Sequence, residues 1–178
     1  MITLSNTIIV TPDAAQPQRG TLCFGGRILS CVLGRAGIAT DKIEGDGATP
    51  VGVFPLRRVL YRADRLVLPQ TALPNSAIAP DDGWCDDPTD TCYNQPIKLP
   101  YGARTESMWR EDGLYDLVVV IGHNDDPVVA QSGSAVFMHV AAEDGAPTAG
   151  CVALAREDLL WVLSALQSDT KIQIRERP

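Results

Sequence analysis

Apolar positions are most concentrated in Leu117-Val118-Val119-Val120-Ile121, bounded by Asp116 and Gly122. A β-branched run without polar interruption predicts a strand buried on both faces. A second apolar run, Ala135-Val136-Phe137-Met138-His139-Val140, predicts another core strand. Arg156 to Gln167 has helical spacing, with Leu159, Leu160, Leu163 and Leu166 on one face, and Glu157 and Asp158 suit the dipole of its first turn. Thr170-Lys171-Ile172-Gln173-Ile174-Arg175 alternates and predicts a closing strand. The N-terminal third reads as short strands. Thr7 to Val10 is β-rich, and Gly20 to Gly34 predicts a hairpin turning at Gly25-Gly26. Gly45 to Gly52 carries turn chemistry, and Val53 to Leu60 resumes an extended segment, where Pro55 predicts an edge or a bulge. Residues 69–101, dense in Pro, Asp and Asn, read as a long irregular insertion of the kind that often carries function. The pattern predicts a mainly β fold with one or a few helices.

The length of 178 residues and a hydrophobic content of 45% fit one domain with a sizeable core, spanning residues 1–178. The net charge of −7, with no basic stripe, argues against nucleic acid and against an anionic membrane surface as partner. No apolar run is long enough for a transmembrane segment. The first ten residues lack the charged, apolar and cleavage regions of a secretory signal. Of the five cysteines, Cys23 and Cys31 read as small core hydrophobes, while Cys85 and Cys92 lie in a polar stretch and are either a local disulfide or free thiols.

Cys151 changes the picture. It follows Pro147-Thr148-Ala149-Gly150, a loop just ahead of the helical stretch, and His139, one of two histidines, ends the second core strand upstream. A thiol is a strong nucleophile as the thiolate, and a neighbouring imidazole generates one at neutral pH. A hairpin-like return through Ala141 to Pro147 would bring the two side chains together, with an ion pair lowering the thiol pKa. Gly150 permits close approach, and the Gly150 and Cys151 amides could face a developing oxyanion. The pair points to acyl transfer through a thioester.

The stretch from Phe137 to Leu160 resembles the catalytic motif of the L,D-transpeptidases, the YkuD-domain family: a His, a loop, then Ser/Thr-His-Gly-Cys. Upstream, Thr49-Pro50-Val51-Gly52-Val53-Phe54 resembles that family's second signature, Thr-Pro-x-Gly-x-Phe. Short proteobacterial members are also similar at Ile121 to Asp126 and at Gly133-Ser134-Ala135. The resemblance implies a YkuD-like β-sandwich and a peptidoglycan L,D-transpeptidase that joins stem peptides, donor to acceptor. It implies Cys151 as nucleophile, His139 as base and Gly150 as an oxyanion donor, with the Val140 carbonyl and Thr148 in orienting roles. Three positions depart from the pattern: Ala149 replaces the usual His, Ala153 replaces Arg or Asn, and the loop between His and Cys is short. None removes the nucleophile or the base; they bear on how substrate is held.

His123, Asn124 and Asp125 follow the strongest strand and read either as a capped turn or as a cleft wall contacting the zwitterionic peptide. Tyr93, Arg104 and Trp109, in or beside the insertion, read either as a lid over a peptide, with Arg104 pairing a carboxylate bidentately, or as side chains that pin the loop to the domain. The chemistry needs no cofactor, and two separated histidines without a CxxC pair offer no recognisable metal site. The alternatives are an L,D-carboxypeptidase or amidase using the same pair, or a catalytically silent wall-binding module. The resemblance also implies carbapenem-type β-lactams as inhibitors that acylate Cys151. The substrate argument places the protein in the periplasm or cell envelope; the absence of a visible signal leaves the cytoplasm open.

Overall fold

The computed structural model describes residues 6–177; Met1 to Ser5, half of the segment read for an export signal, lie outside the described residues. The described chain is mainly β with a single helix, as the pattern predicts. It begins with β1 (Thr7–Pro12), β2 (Arg19–Phe24) and β3 (Arg27–Val32), the last two forming the hairpin at Gly25-Gly26. Two short strands, β4 (Ile38–Ala39) and β5 (Thr49–Pro50), pair in parallel around the turn segment, and β6 (Gly52–Tyr61) and β7 (Asn75–Ala77) follow. Next come β8 (Asp82–Cys85), β9 (Pro96–Lys98) and β10 (Thr105–Ser107), then β11 (Leu117–Ile121), β12 (Phe137–Val140) and β13 (Val152–Leu154). The helix α1 (Arg156–Ala165) and β14 (Lys171–Ile174) close the chain.

Nine strands share one sheet in the order β11-β12-β13-β3-β2-β1-β14-β6-β7, and β11 also pairs with β6, which closes eight of them into a ring. The interior collects the inward half of each period-two pattern: Ile8 and Val10, Leu22, Val119, Met138, Val152, Ile172 and Ile174. Into this core α1 packs Leu159, Val162 and Leu163, with Leu166 buried just beyond its end. Val162 rather than Leu160 completes the buried stripe, and Leu160 is half-buried. Cys31 is buried in this core, but Cys23 alternates outward between Leu22 and Phe24 and is half-buried.

Every residue of β11 is buried. Its outer face, with Val118 and Val120, forms a second cluster with Phe137, Cys151, Trp84, Met108 and Tyr115. A three-stranded antiparallel sheet, β10-β8-β9, contributes Trp84 to this cluster. The segment read as irregular is therefore partly ordered: strands of three or four residues, interrupted by Pro and Asp, are too short to display an alternating signal. Cys85 and Cys92 are both free thiols, Cys85 buried and Cys92 half-buried.

Pro55 lies inside β6, which is paired on both sides rather than at an edge. The irregularity it predicts is present: the β6–β11 register shifts between Val120 and Ile121, and the Pro55 carbonyl instead accepts from Gly122 N–H at 2.8 Å.

Gly34 joins the hairpin to the turn segment. Its N–H donates to Thr49 Oγ1 at 2.9 Å, and it bridges Thr148 in the loop before Cys151. A Cβ there would stand 2.3 Å from Gly47 O and 2.9 Å from Thr49 N, both backbone atoms. Gly34→Ala must therefore push two backbones apart. It is expected to cost about 2 kcal/mol or more of stability, measured by urea denaturation; an unchanged midpoint would show that the turn segment yields freely.

Candidate active site

The site is built by the pairing of β12 with β13. Met138 pairs with Val152 and His139 with Ala153, in parallel. Cys151 lies one step before that paired stretch, alongside Phe137, whose N–H approaches Sγ at 3.4 Å. Alternation turns Phe137, His139 and Cys151 to the outer face, while Met138, Val140 and Val152 point into the core. A parallel pair cannot be joined by a hairpin. The expected hairpin-like return is instead a crossover, which turns at Ala142–Gly145 and comes back through Thr148 against Gly34. The two side chains still meet one cleft of about 390 Å³, whose walls include Tyr115, Glu106, Lys42 and Arg35.

His139 is 5% exposed. Its Nδ1 lies 2.8 Å from Val140 O. A carbonyl only accepts, so Nδ1 carries the proton and Nε2 of the neutral ring is left as a base. Val140 thus makes the contact expected of it. Burial lowers the His139 pKa to about 4, because the imidazolium would be stripped of water. The ring of Tyr115 packs edge-on against it, with centroids 5.3 Å apart.

Cys151 is 7% exposed, and its thiol points to Ala135 O at 3.3 Å. Among the described residues, Sγ makes hydrogen bonds to Ala135 and Phe137 and none to His139. Burial pushes the Cys151 pKa up to about 12, and the negative field of Glu106 adds to the rise, against smaller opposing effects of Phe137 N–H, Lys42 and Arg110. The expected ion pair is therefore absent at rest. Desolvation opposes both charged forms, so the cleft holds a neutral thiol beside a neutral imidazole.

Gly150 has φ 143°, and a Cβ there would stand 2.9 Å from Ala48 O, so glycine is required. Its N–H is not directed into open space: it donates to Thr148 Oγ1 at 3.1 Å. That hydroxyl donates in turn to Cys151 O at 2.8 Å, and Thr49 Oγ1 donates to the same carbonyl at 3.3 Å. Thr148 therefore fixes the backbone that carries the thiol, in line with an orienting role.

The residues expected to bind substrate divide. Arg104 lines the cleft, but its Nε is 3.2 Å from Asp86, its Nη2 is 3.6 Å from Glu44, and it also donates to Asp86 O. Asp86 Oδ1 is buried beside it without a well-directed hydrogen bond. Tyr93 is buried and donates its hydroxyl to Glu44. Trp109 lies beneath Arg62, whose guanidinium carbon is 3.5 Å from the ring centre, and is not part of the cleft wall. His123, Asn124 and Asp125 belong to a turn away from the cleft. His123 Nε2 is 2.8 Å from Ser132 O, and the ring packs on Phe54. Asn124 clamps Val129 and Gly133, and Asp125 pairs with Arg57 at 2.8 Å. His123 Nε2 and the polar atoms of Asn124 and Asp125 are engaged by these partners, the arrangement of the capped-turn alternative.

Sequence reasoning passed over Glu106 and Glu44, which line the cleft, and Asn94, which lies behind it. Glu106 accepts from Tyr115 OH at 2.7 Å, and burial raises its pKa. Glu44 gathers Tyr93, Ser134 and Arg104. Asn94 is buried with all four hydrogen-bonding positions used. Oδ1 accepts from Trp84 Nε1 and Ala135 N, both at 3.0 Å, and Nδ2 donates to His123 O at 3.0 Å and Asn124 O at 2.7 Å. Glu44 stands just before the Gly45 to Gly52 turn, outside the motif read there. Among the described residues no three His, Cys, Asp or Glu side chains gather as a metal site.

The YkuD family model, described as the L,D-transpeptidase catalytic domain, matches residues 8–174. No curated protein matches the sequence. Two solved structures are similar. A protein of Bdellovibrio bacteriovorus, Bd1075, shares 15% identity at a TM-score of 0.45; the match covers 98% of this chain and 49% of that one. Mycobacterium tuberculosis L,D-transpeptidase 1 shares 14% identity at a TM-score of 0.37, covering 94% and 61%. The chain thus spans about half the length of the first and 61% of the second.

The neutral resting pair has two measurable consequences. Iodoacetamide should label resting Cys151 more slowly than a model thiol at pH 7, with the rate still rising above pH 9; a plateau reached below pH 7 would contradict a raised thiol pKa. His139 titrates at about 4 in the fold against 6.5 in the unfolded chain, so the unfolded state binds the extra proton in between. Stability is full above pH 6.5 and falls by roughly 3 kcal/mol as pH drops to 4, a loss that His139→Gln should remove from the denaturation profile.

Proposed function

The chain belongs to the L,D-transpeptidase catalytic-domain family (YkuD), and from that membership we propose that it joins peptidoglycan stem peptides through a thioester on Cys151. The observation that carries this reading is the shared cleft: His139, with Nδ1 held by Val140 and Nε2 left as a base, faces the same space as the thiol. Cys151 would be the nucleophile and His139 the general base.

In the proposed reaction, a bound donor peptide displaces the thiol from Ala135 O, and rotation about the Cα–Cβ bond turns Sγ toward Nε2. The thiol proton passes to Nε2 as sulfur attacks the scissile carbonyl carbon. The tetrahedral oxyanion collapses, the C–N bond breaks, and Nε2–H protonates the departing amine. The acceptor amine then attacks the thioester, gives a proton to Nε2, and the sulfur leaves and is reprotonated. The neutral resting state suits this sequence, since charge is created only when the substrate fills the cleft. With Gly150 N–H occupied by Thr148, that amide serves as an oxyanion donor only after Thr148 Oγ1 is displaced. The reaction draws on no metal and no cofactor. The substrate places the proposed activity in the cell envelope; among the described residues no helix is long and apolar enough to cross a membrane.

Incubation with a tetrapeptide donor and an acceptor amine should give a cross-linked product, with an acyl adduct on Cys151 visible by intact mass. Cys151→Ala should abolish the adduct, and a carbapenem should label the native residue. His139→Ala should slow acylation about 100-fold or more while the fold persists. A shortened peptide without cross-links would assign a hydrolase instead, and no adduct with either reagent would sink the thioester reading. Because the base titrates near 4, acylation should hold its rate down to about pH 5 and fall below that.

A further inference from the structure

The charges of the cleft are mostly spoken for. Lys42 pairs with Asp46 at 2.6 Å, Arg104 with Asp86 at 3.2 Å, and Arg110 with Asp112 at 2.5 Å. Arg35 lines the same cleft and, among the described residues, has no acidic partner. Among those residues its side chain makes one hydrogen bond, a long one from Nη2 to Gly45 O at 3.4 Å.

Arg35 is nevertheless held in place. Its backbone N–H donates to Thr148 O at 2.9 Å, three residues from the thiol. Its side chain lies against Gly47, where a Cβ would come within 2.7 Å of the guanidinium carbon. Gly47 has φ 71° and leaves the room that the guanidinium occupies. A positioned, exposed guanidinium at the edge of a reactive cleft matches a carboxylate in shape and charge, through two parallel N–H donors. Arg104, the sequence candidate for that task, is already engaged by Glu44 and Asp86.

We propose that Arg35 receives a carboxylate of the acyl-donor peptide and holds that peptide over Cys151. This rests on the transpeptidase reading for the identity of the peptide, but not for the binding. The carboxylate has two sources: the C-terminal one on the residue released, or one on a side chain of the peptide. The same contact serves either.

The experiment uses Cys151→Ala, which binds without reacting, and its Arg35→Gln double variant. Affinity is measured for a tetrapeptide with both carboxylates, for its C-terminal amide and for its side-chain amide. One of the two amides should bind Cys151→Ala about tenfold more weakly than the parent, and thereby identify the carboxylate. In the double variant that difference should vanish, and Arg35→Lys should restore only part of it. An equal loss in both proteins, or no loss in either, overturns the proposal. Acylation of the native protein is followed in parallel. Arg35-dependent binding without acylation would keep the carboxylate contact and remove the transpeptidase. Acylation with no dependence on Arg35 would do the reverse, and no binding of any peptide would count against both.

Discussion

The parallel pairing of β12 with β13 is the constraint on which the site depends. It fixes which residues share a face, and so turns Cys151 and His139 outward together while Met138 and Val152 fill the core. A shift of one residue would bury the thiol in the apolar interior and leave the imidazole facing nothing reactive. The register is held from both sides. β11 pairs with β12, Ala153 pairs with Val32 of β3, and the returning loop is tied down by Thr148 against Gly34 and by two threonine hydroxyls on Cys151 O. The same elements that stabilise the ring therefore set the geometry of the chemistry.

Burial then decides the electrostatics. His139 and Cys151 are buried deeply enough that the imidazole stays neutral down to about pH 4 and the thiol stays protonated up to about pH 12. Removing charge from water is the dominant effect on both groups, larger than the fields of Glu106, Lys42 or Arg110. Local hydrogen bonds complete the arrangement by fixing the tautomer through Val140 and parking the thiol on Ala135. At rest the pair is neutral on both sides, the starting point that the proposed reaction requires.

Much of the framework was legible in the sequence. Long apolar runs announced β11 and β12, leucine spacing announced α1, and Gly-Gly marked the β2–β3 turn, because these signals are local. That Cys151 and His139 would face one space was legible, though not as the ion pair expected, and the family resemblance agrees with the match over residues 8–174. The direction of the β12–β13 return was not, since a loop of that length fits either sense. Nor was the sheet β8–β10, whose strands are too short for periodicity to register. His123 and Asn124 read equally as a turn or as a cleft wall, because polar groups after a strong strand suit both. Only the partners, Ser132, Val129 and Gly133, separate the two, and they lie beyond local reach. Glu44, Glu106, Asn94 and Arg35 reach the site through tertiary contact alone.

Asn94 ties the covering sheet to the floor of the cleft through one side chain that presents acceptors to Trp84 and Ala135 and donors to two carbonyls. No carboxylic acid or hydroxyl of the same size can supply that set. Spontaneous deamidation to Asp would leave the oxygen facing Trp84 intact but turn a negative charge toward the carbonyls of His123 and Asn124. Because Ala135 both receives this amide's contact and parks the thiol, the chemical ageing of one side chain would reach the reactive sulfur without touching it.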